Sequence, residues 1–457
     1  MLCGFIPPYL LRRIAAATSD SRAARSCQNT LQIDEQLRDR RTAARSARPR
    51  LAATASRVIH DAANTEQLPG REARSDGDPP TGDEAVDEAF DWSDQTLQLY
   101  ATEFGRRSFD DRGSTLSATV HYGRDYDNAF WDGTQLVFGD GDGRVFDRFT
   151  KPVDVFAHEF THGVTQYSAG LVYAGQPGAL NESMSDVFGS MVKQYTLGQT
   201  AEDADWLIGQ GIFLPSVQGL ALRSMLRPGT AYDDPVLGKD PQVASMADYV
   251  DTDDDNGGVH VNSGIPNRAF ALLATQLGGT SWDRAGRIWY TALTSGAVNA
   301  NTDFADFAEA TVSAARQLYP GEAEVADDVR QSWQSVGLLG SVDALVASPA
   351  TGARSEGTTE LISVRRSGGF AGVSRTYQLD LSSEREGSQA RELLASVERQ
   401  RGSRAQSTPA ASGVGADRFV YAISYGEREL LVGEVELTPE LDQLIQLVLA
   451  RGEEISH

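Results

Sequence analysis

The chain has 457 residues, 40% apolar and 23% charged, which is room for two or three domains with a proper core. Its formal charge of −23 argues against nucleic acid as a partner, because phosphate binding needs a basic face. The two cysteines, Cys3 and Cys27, both lie near the start, so a disulfide framework for the body is excluded, and no apolar run is long enough for a membrane helix.

Residues 1–50 carry ten arginines against four acidic residues, whereas the rest of the chain is strongly acidic. A basic arm on an acidic body suggests a removable segment that docks on its own protein; a disordered tail is the alternative. The opening, MLCGFIPPYLLRRIAAATSD, lacks a basic lead, and two prolines break its apolar stretch. No classical signal peptide is therefore expected, and the expectation is cytoplasmic synthesis with non-classical release left open.

From about Arg57 to Asp147 short apolar runs alternate with glycines and aspartates, and STLSATVHYG and TQLVFGDGDG read as strands ending in turns. From Thr150 the period becomes helical. Thr150 can cap, Pro152 suits the first turn, and Val153, Phe156, Ala157 and Phe160 form an apolar stripe. Helical patterns continue to about Leu339, and SPATGARSEG, residues 348–357, reads as a linker. Beyond it LISVRRSGGFAG, RTYQLDL, RFVYAISYG and ELLVGEVEL read as strands. REGSQARELLASVERQ and TPELDQLIQLVLARG read as helices, giving a small ββαββα unit.

The chemistry concentrates in HEFTHGVTQYSAG. Residues four apart on a helix share a face, so His158 and His162 can bind one ion while Glu159 lies close enough to act on a bound water. A catalytic zinc needs a third protein ligand and an open fourth position. In GALNESMSDVF, Glu182 and Asp186 again share a helical face. Glu182 is the natural third ligand, and Asp186 could take the second ring N–H of a histidine.

HEFTHGVTQYSAGLVY, GALNESMSD and the later DNGGVHVNSG together resemble the thermolysin family of zinc endopeptidases over roughly residues 57–340. The resemblance implies a two-lobe α+β fold: a β-rich N-terminal lobe (51–167) that includes the HEFTH helix, and a helical C-terminal lobe (168–347). It implies zinc held by His158, His162 and Glu182, with Glu159 as general base. It implies that Asp186 orients His158 and Asn181 orients His162. In DNGGVH, His260 would stabilise the oxyanion and Asp255 would hold His260, with Tyr173 a second donor. Asn128 and the Ala129 backbone would bind the substrate main chain. Arg223 would contact a substrate carbonyl, and Val155 and Leu222 would line the pocket for the residue after the scissile bond. Protein or peptide substrates, cut before bulky apolar residues, are the implied partners.

The family's double calcium site is expected to be absent. Asp154 is retained, but Lys193 stands at the next ligand position, and beyond Asp205 the other acidic positions hold Leu207 and Gln210. A lysine pairing with Asp154 would replace part of the ion's charge. DTDDDNGG (251–258) fails as an EF-hand, because Asn256 and Asn262 stand where glycine and glutamate are needed, although a looser calcium site stays open.

CGFIPPYLLRRIA resembles the short propeptide of protealysin-like members, which implies a propeptide over 1–50 lying against the cleft and a mature start between about Arg50 and Arg57. Cys3 could place a thiolate on the open zinc position; Cys27 has no assigned role. Residues 358–457, with SVRRSGGFAGVSRTYQLDL and GADRFVYAISYG, resemble emfourin, a small inhibitor of protealysin-like enzymes, with Arg365, Gly368, Gly369, Phe370 and Gly372 carrying the match. That implies an inhibitor fused in cis, against the plainer reading of a substrate-binding or folding module. Three functions follow for comparison: an endopeptidase made as a zymogen, a self-inhibited regulatory binding protein, and a zinc aminopeptidase.

Overall fold

A computed structural model of the chain describes residues 3–43, 57–339 and parts of 361–455. The chain divides into two units, Met1–Ala347 and Ser348–His457. The expected linker, the segment between Ala43 and Arg57, and the hairpin residues Gly369, Phe370 and Gly372 lie outside the described residues.

In the first unit six strands form one sheet: β1 (Cys3–Gly4), β2 (Arg57–Asp61), β3 (Arg71–Ser75), β4 (Leu116–Val120), β5 (Ala129–Trp131) and β6 (Leu136–Phe138), in the order β1-β5-β6-β4-β2-β3. The edge strand β1 comes from the basic arm and runs antiparallel to β5, with Cys3 opposite Trp131 and Gly4 opposite Phe130. The arm continues as α1 (Pro8–Ala17) and α2 (Ser21–Ala43). It is ordered over its described residues and docks on the body, as the charge asymmetry suggests. Phe5, Ile6, Leu10, Leu11 and Ile14 are buried in the main core, each worth about 1.5–3 kcal/mol on burial. The Arg12–Asp254 and Arg22–Asp125 pairs are exposed, so solvent screens them and they contribute little. Apolar burial therefore outweighs charge in holding the arm. Cys27 is buried on α2, where burial and the neighbouring Asp127 push its thiol pKa far up, so it stays a neutral packing residue.

The N-terminal lobe also contains a 21-residue helix that the sequence reading did not single out, α3 (Glu84–Phe104). Its Asp83 cap accepts from the Ala85 and Val86 amides, and Gly105 ends it in the left-handed conformation. The zinc-motif helix, α4 (Val153–Gln166), starts later than expected. Pro152 is its N-cap residue, and the Thr150 hydroxyl donates to Glu88 instead.

The partner of α4 is α5 (Gly175–Leu197). A Cβ on Gly189 would lie 2.8 Å from the Asp154 carbonyl oxygen, so the two helices can approach this closely only with glycine there. That approach sets Glu182 and Asp186 against the two histidines. Two-stranded ribbons follow, β7 (Leu207–Ile208) with β8 (Arg223–Ser224) and β9 (Asp233–Asp234) with β10 (Gly238–Lys239). The helices α6 (Asp255–Asn262), α7 (Gly264–Leu277), α8 (Arg287–Thr294), α9 (Phe304–Leu318) and α10 (Ala323–Gln334) complete the unit. No described helix is long and apolar enough to cross a membrane.

The second unit is an antiparallel sheet of β11 (Leu361–Gly368), β12 (Arg375–Asp380), β13 (Phe419–Tyr425), β14 (Arg428–Gly433) and β15 (Glu453–Ile455), in the order β14-β13-β11-β12-β15. The closing helix α11 (Pro439–Arg451) buries Leu441, Leu444, Ile445 and Val448 against Ile362, Val364 and Ile423. The sequence reading gave ββαββα; β15 adds a strand to it, pairing with β12 after the last helix.

One ion cluster in the first unit has a pH signature. His121 (φ 53) places its Nδ1 2.8 Å from Asp140 and its Nε2 3.1 Å from the α3 cap, Asp83. The Asp140 hydrogen bond outweighs burial and raises the imidazole pKa from 6.5 to about 9. A folded pKa above the unfolded one stabilises fully below about pH 6.5, and that stabilisation disappears as pH rises through about 9. Solvent screening of the partly exposed ring reduces it to about 1 kcal/mol. On a Glu159→Ala background, His121→Gln should lower the melting temperature near pH 6 and change it little near pH 10. Equal losses at both would mean that packing, not charge, is what His121 supplies.

Candidate active site

The helical periodicity of α4 brings His158 and His162 to one face, and both are buried. Their Nε2 atoms lie 3.1 Å apart. From α5 the Glu182 carboxylate comes to 3.5 Å from His158 Nε2 and 3.6 Å from His162 Nε2. An ion with tetrahedral bonds of 2.0–2.1 Å separates its ligand atoms by roughly 3.4 Å. The three side chains therefore fit a zinc ion, and one Glu182 oxygen is buried without a hydrogen-bond partner, as a carboxylate prepared for a cation would be. An oxygen of Glu159 and one nitrogen of each histidine also lie within 4.8 Å of one another.

Each imidazole is oriented through its other nitrogen. His158 Nδ1 is 2.9 Å from Asp186, and His162 Nδ1 is 2.9 Å from the Asn181 side-chain oxygen and 3.1 Å from the Ser185 hydroxyl. Asp186 in turn accepts Arg223 Nε and Nη2, both at 2.8 Å, and Asn267 Nδ2 at 2.8 Å. Burial would raise the Asp186 pKa, but Arg223 outweighs it and holds the carboxyl at about 2. Burial also lowers His158, yet Asp186 and Glu182 outweigh that and keep its imidazole up at about 9 in the metal-free protein. His162, with burial dominant, falls to about 3. Glu159 is fully buried and neither oxygen makes a hydrogen bond; burial lifts its carboxyl to about 8, with His158 pulling the other way.

A second group faces the first. Asp255, Asn256, Gly257 and Gly258 all have positive φ, from 53° to 87°. This left-handed run folds Asp255 back so that its carboxylate accepts His260 N at 2.9 Å and meets His260 Nδ1 at 2.7 Å. His260 Nε2 then lies 3.3 Å from the Tyr173 hydroxyl, which itself donates to Glu182.

The cleft between these groups is filled by the chain's own N-terminal segment. His260 Nε2 is 3.0 Å from the Gly4 carbonyl oxygen. The Phe5 amide donates to the Ala129 oxygen at 3.0 Å, and the Ile6 amide to Asn128 Oδ1 at 2.8 Å. Arg223 Nη1 donates to the Phe5 oxygen at 3.2 Å, and its guanidinium lies 4.6 Å from the centre of the Phe5 ring. That ring meets His158 edge-on at 5.1 Å. A Cβ on Gly209 (φ +71) would lie 3.1 Å from the Phe5 ring and 3.3 Å from Leu222, so Gly209 gives the pocket its depth. Leu222 and Val155 are both buried. Gly209, Ser185 and Asn267 were not singled out from the sequence; no local signal marks them. The Cys3 side chain lies outside the described residues.

Lys193 behaves differently from expectation. Its ammonium donates to both Asp205 oxygens at 2.9 Å, to the Leu207 carbonyl at 3.2 Å and to Gln210 at 3.2 Å. Its ion pair is thus with Asp205 rather than Asp154. Asp154 accepts from the Gly209 amide at 3.0 Å, and burial raises its pKa while the Lys193 charge lowers it.

The chain is similar to known proteins over most of its length. Residues 42–166 match the family model described as thermolysin metallopeptidase, catalytic domain, and residues 169–338 match its alpha-helical domain. Residues 364–449 match the emfourin model. The chain is 51% identical to an extracellular metalloprotease of Pectobacterium carotovorum over 337 residues, covering 74% of this chain and 96% of that protein. It is 45% identical to protease PrtS of a Photorhabdus strain, covering 73% and 92%. The precursor of protealysin, a metalloproteinase from Serratia proteamaculans, superposes with a TM-score of 0.67 at 50% identity, covering 73% of this chain and 99% of that one.

Asp186→Asn should weaken zinc binding roughly 10- to 100-fold in a chelator competition, because it loosens His158 and leaves Arg223 without its buried partner. Unchanged affinity would detach Asp186 from the metal centre.

Proposed function

Because the chain belongs to the thermolysin family of metallopeptidases and ends in an emfourin domain, we propose that it is a zinc endopeptidase made as a precursor whose N-terminal segment blocks its own cleft. The observation that carries this reading is the Gly4 carbonyl held at His260 while Phe5 fills the pocket between Arg223 and Gly209.

His158, His162 and Glu182 would hold the ion. Bound zinc would polarise the substrate carbonyl and lower the pKa of its water to about 7. Glu159, whose oxygens have no competing hydrogen bond, takes a proton from the water and returns it to the leaving amine. His260 donates to the carbonyl oxygen as charge builds there, Tyr173 joins it when its hydroxyl turns from Glu182 to that oxygen, and Asp255 keeps His260 aimed. Asp186 and Asn181 fix the ligand rings. Asn128 and Ala129 hold the main chain, and Arg223 takes the carbonyl of the residue after the cut. Val155, Leu222 and Gly209 shape a pocket that accepts an aromatic ring, so cleavage falls before bulky apolar residues.

The strand β1 runs past Gly4 to Cys3 on the far side of the bond. A cleft that accepts chain on both sides favours an endopeptidase over an aminopeptidase. The Phe5 ring and the backbone of Gly4 to Ile6 together block the cleft. The Lys193 ammonium, satisfied by Asp205, Leu207 and Gln210, supports the absence of a double calcium site. The emfourin domain is an inhibitor-like module, and tethering raises its effective concentration to about the mM range. A precursor that blocks its own cleft fits an enzyme that acts outside the cell, as the Pectobacterium relative's name says of that protein.

Between Ala43 and Arg57 the only bulky apolar residue is Leu51. The intact mass of purified wild type should therefore fall to that of a chain starting at Leu51, while Glu159→Ala keeps its full mass and cuts no casein. Equal processing and casein hydrolysis by both proteins would sink the reading.

A further inference from the structure

We propose that the Gly4–Phe5 peptide bond is itself a substrate: the precursor cuts it first, and this trimming precedes removal of the whole segment. The inference rests on the endopeptidase reading above.

A bound segment escapes hydrolysis if it runs backwards, if it stops short of the bond position, or if its carbonyl misses the donors. None of these holds. The Gly4 carbonyl oxygen is 3.0 Å from His260 Nε2, which lies 3.3 Å from the Tyr173 hydroxyl and 3.4 Å from Glu182. The next residue, Phe5, sits in the apolar pocket with its carbonyl on Arg223 and its amide on Ala129. The carbonyl held at His260 is thus followed directly by the side chain in the specificity pocket. That is the order of a bond about to be cut before a bulky apolar residue. Cys3 pairs with Trp131 on one side and Ile6 with Asn128 on the other, so the bond is gripped from both ends. The segment leaves Glu159 unencumbered, since both of its buried oxygens lack hydrogen bonds.

Glycine is required at this position. A Cβ on Gly4 would come within 2.6 Å of Asn128 Nδ2. Asn128 cannot easily yield, because it is tied to the Ile6 oxygen at 3.2 Å and to Asp34 of α2 at 3.0 Å. With α2 in place the cleft is fitted to the chain's own glycine; with α2 gone, Asn128 loses Asp34 and can make room for ordinary side chains.

In the step, one water adds across the bond. The Gly4–Phe5 C–N bond breaks, the water oxygen stays on Gly4 as part of a carboxylate, and both water protons end on the Phe5 nitrogen, which leaves as an ammonium. The piece ending at Gly4 leaves. The remaining segment stays, because Leu10, Leu11 and Ile14 of α1 are buried in the core. The trimmed precursor therefore remains blocked until the later cut.

The test follows full-length wild type and Glu159→Ala by intact mass and N-terminal sequencing at early times. Wild-type precursor that still carries α1 and α2 should begin at Phe5, and Glu159→Ala at Met1. Phe5→Leu should keep the early cut and Phe5→Asp should lose it. In the uncut Glu159→Ala protein the Phe5 and Ile6 amides should be protected from hydrogen exchange, and adding Phe5→Asp should remove that protection. Wild type that matures and hydrolyses casein while its released segment still begins at Met1 overturns the trimming but leaves the endopeptidase reading intact. Wild type that neither trims, matures nor cuts casein overturns both.

Discussion

Asp186 lies fully buried on α5 and accepts hydrogen bonds from His158, Arg223 and Asn267 at once. A carboxylate in that position is tolerable only with its counter-charge in place. Removing one partner of such a pair costs about 3–5 kcal/mol, because the other charge stays buried and unpaired. Here the pair joins four elements. His158 ties in α4, Asn267 ties in α7, and Arg223 ties in β8, whose guanidinium then reaches across the cleft to Phe5. The same carboxylate that sets the tautomer of a metal-binding histidine thus also sets the residue that reads the substrate's main chain.

From this follows how the precursor can be both assembled and silent. The segment engages Arg223, His260, Asn128 and Ala129, the groups on which catalysis depends, without demanding that any of them move. Among the described residues its grip comes from burying Phe5, Ile6, Leu10, Leu11 and Ile14 rather than from the exposed Arg12 and Arg22 pairs. Asp34 adds a second level of control through Asn128, since a side chain that must bend for substrates is held straight while α2 remains. The apolar face of α1 holds the segment in place.

How much of this could be read from the sequence depends on distance along the chain. His158, Glu159 and His162 share one helical turn, and Glu182 and Asp186 another, so spacing alone shows that each set can converge. Arg223 is 37 residues from Asp186 and could be placed only through family resemblance, and Asn267, 81 residues away, carries no motif at all. Phe5 and Arg223 are 218 residues apart; the resemblance carried by CGFIPPYLLRRIA implies a segment against the cleft but not which residue enters the pocket. Lys193 stands in an acidic place, and its ion pair is with Asp205, while Asp154 accepts the Gly209 amide and still feels the Lys193 charge. The start of α4 was misjudged by two or three residues for a similar reason: Thr150 is drawn to Glu88, a contact no local pattern announces.

The central claim is that His158, His162 and Glu182 hold one zinc ion while the segment lies in the cleft. Native mass spectrometry of the Glu159→Ala precursor, with and without His162→Ala, tests it most directly. The account requires one zinc per chain in the first protein and loss of that zinc in the second, with the N-terminal segment intact in both. A precursor free of stoichiometric zinc, or zinc that survives the loss of His162, would contradict it.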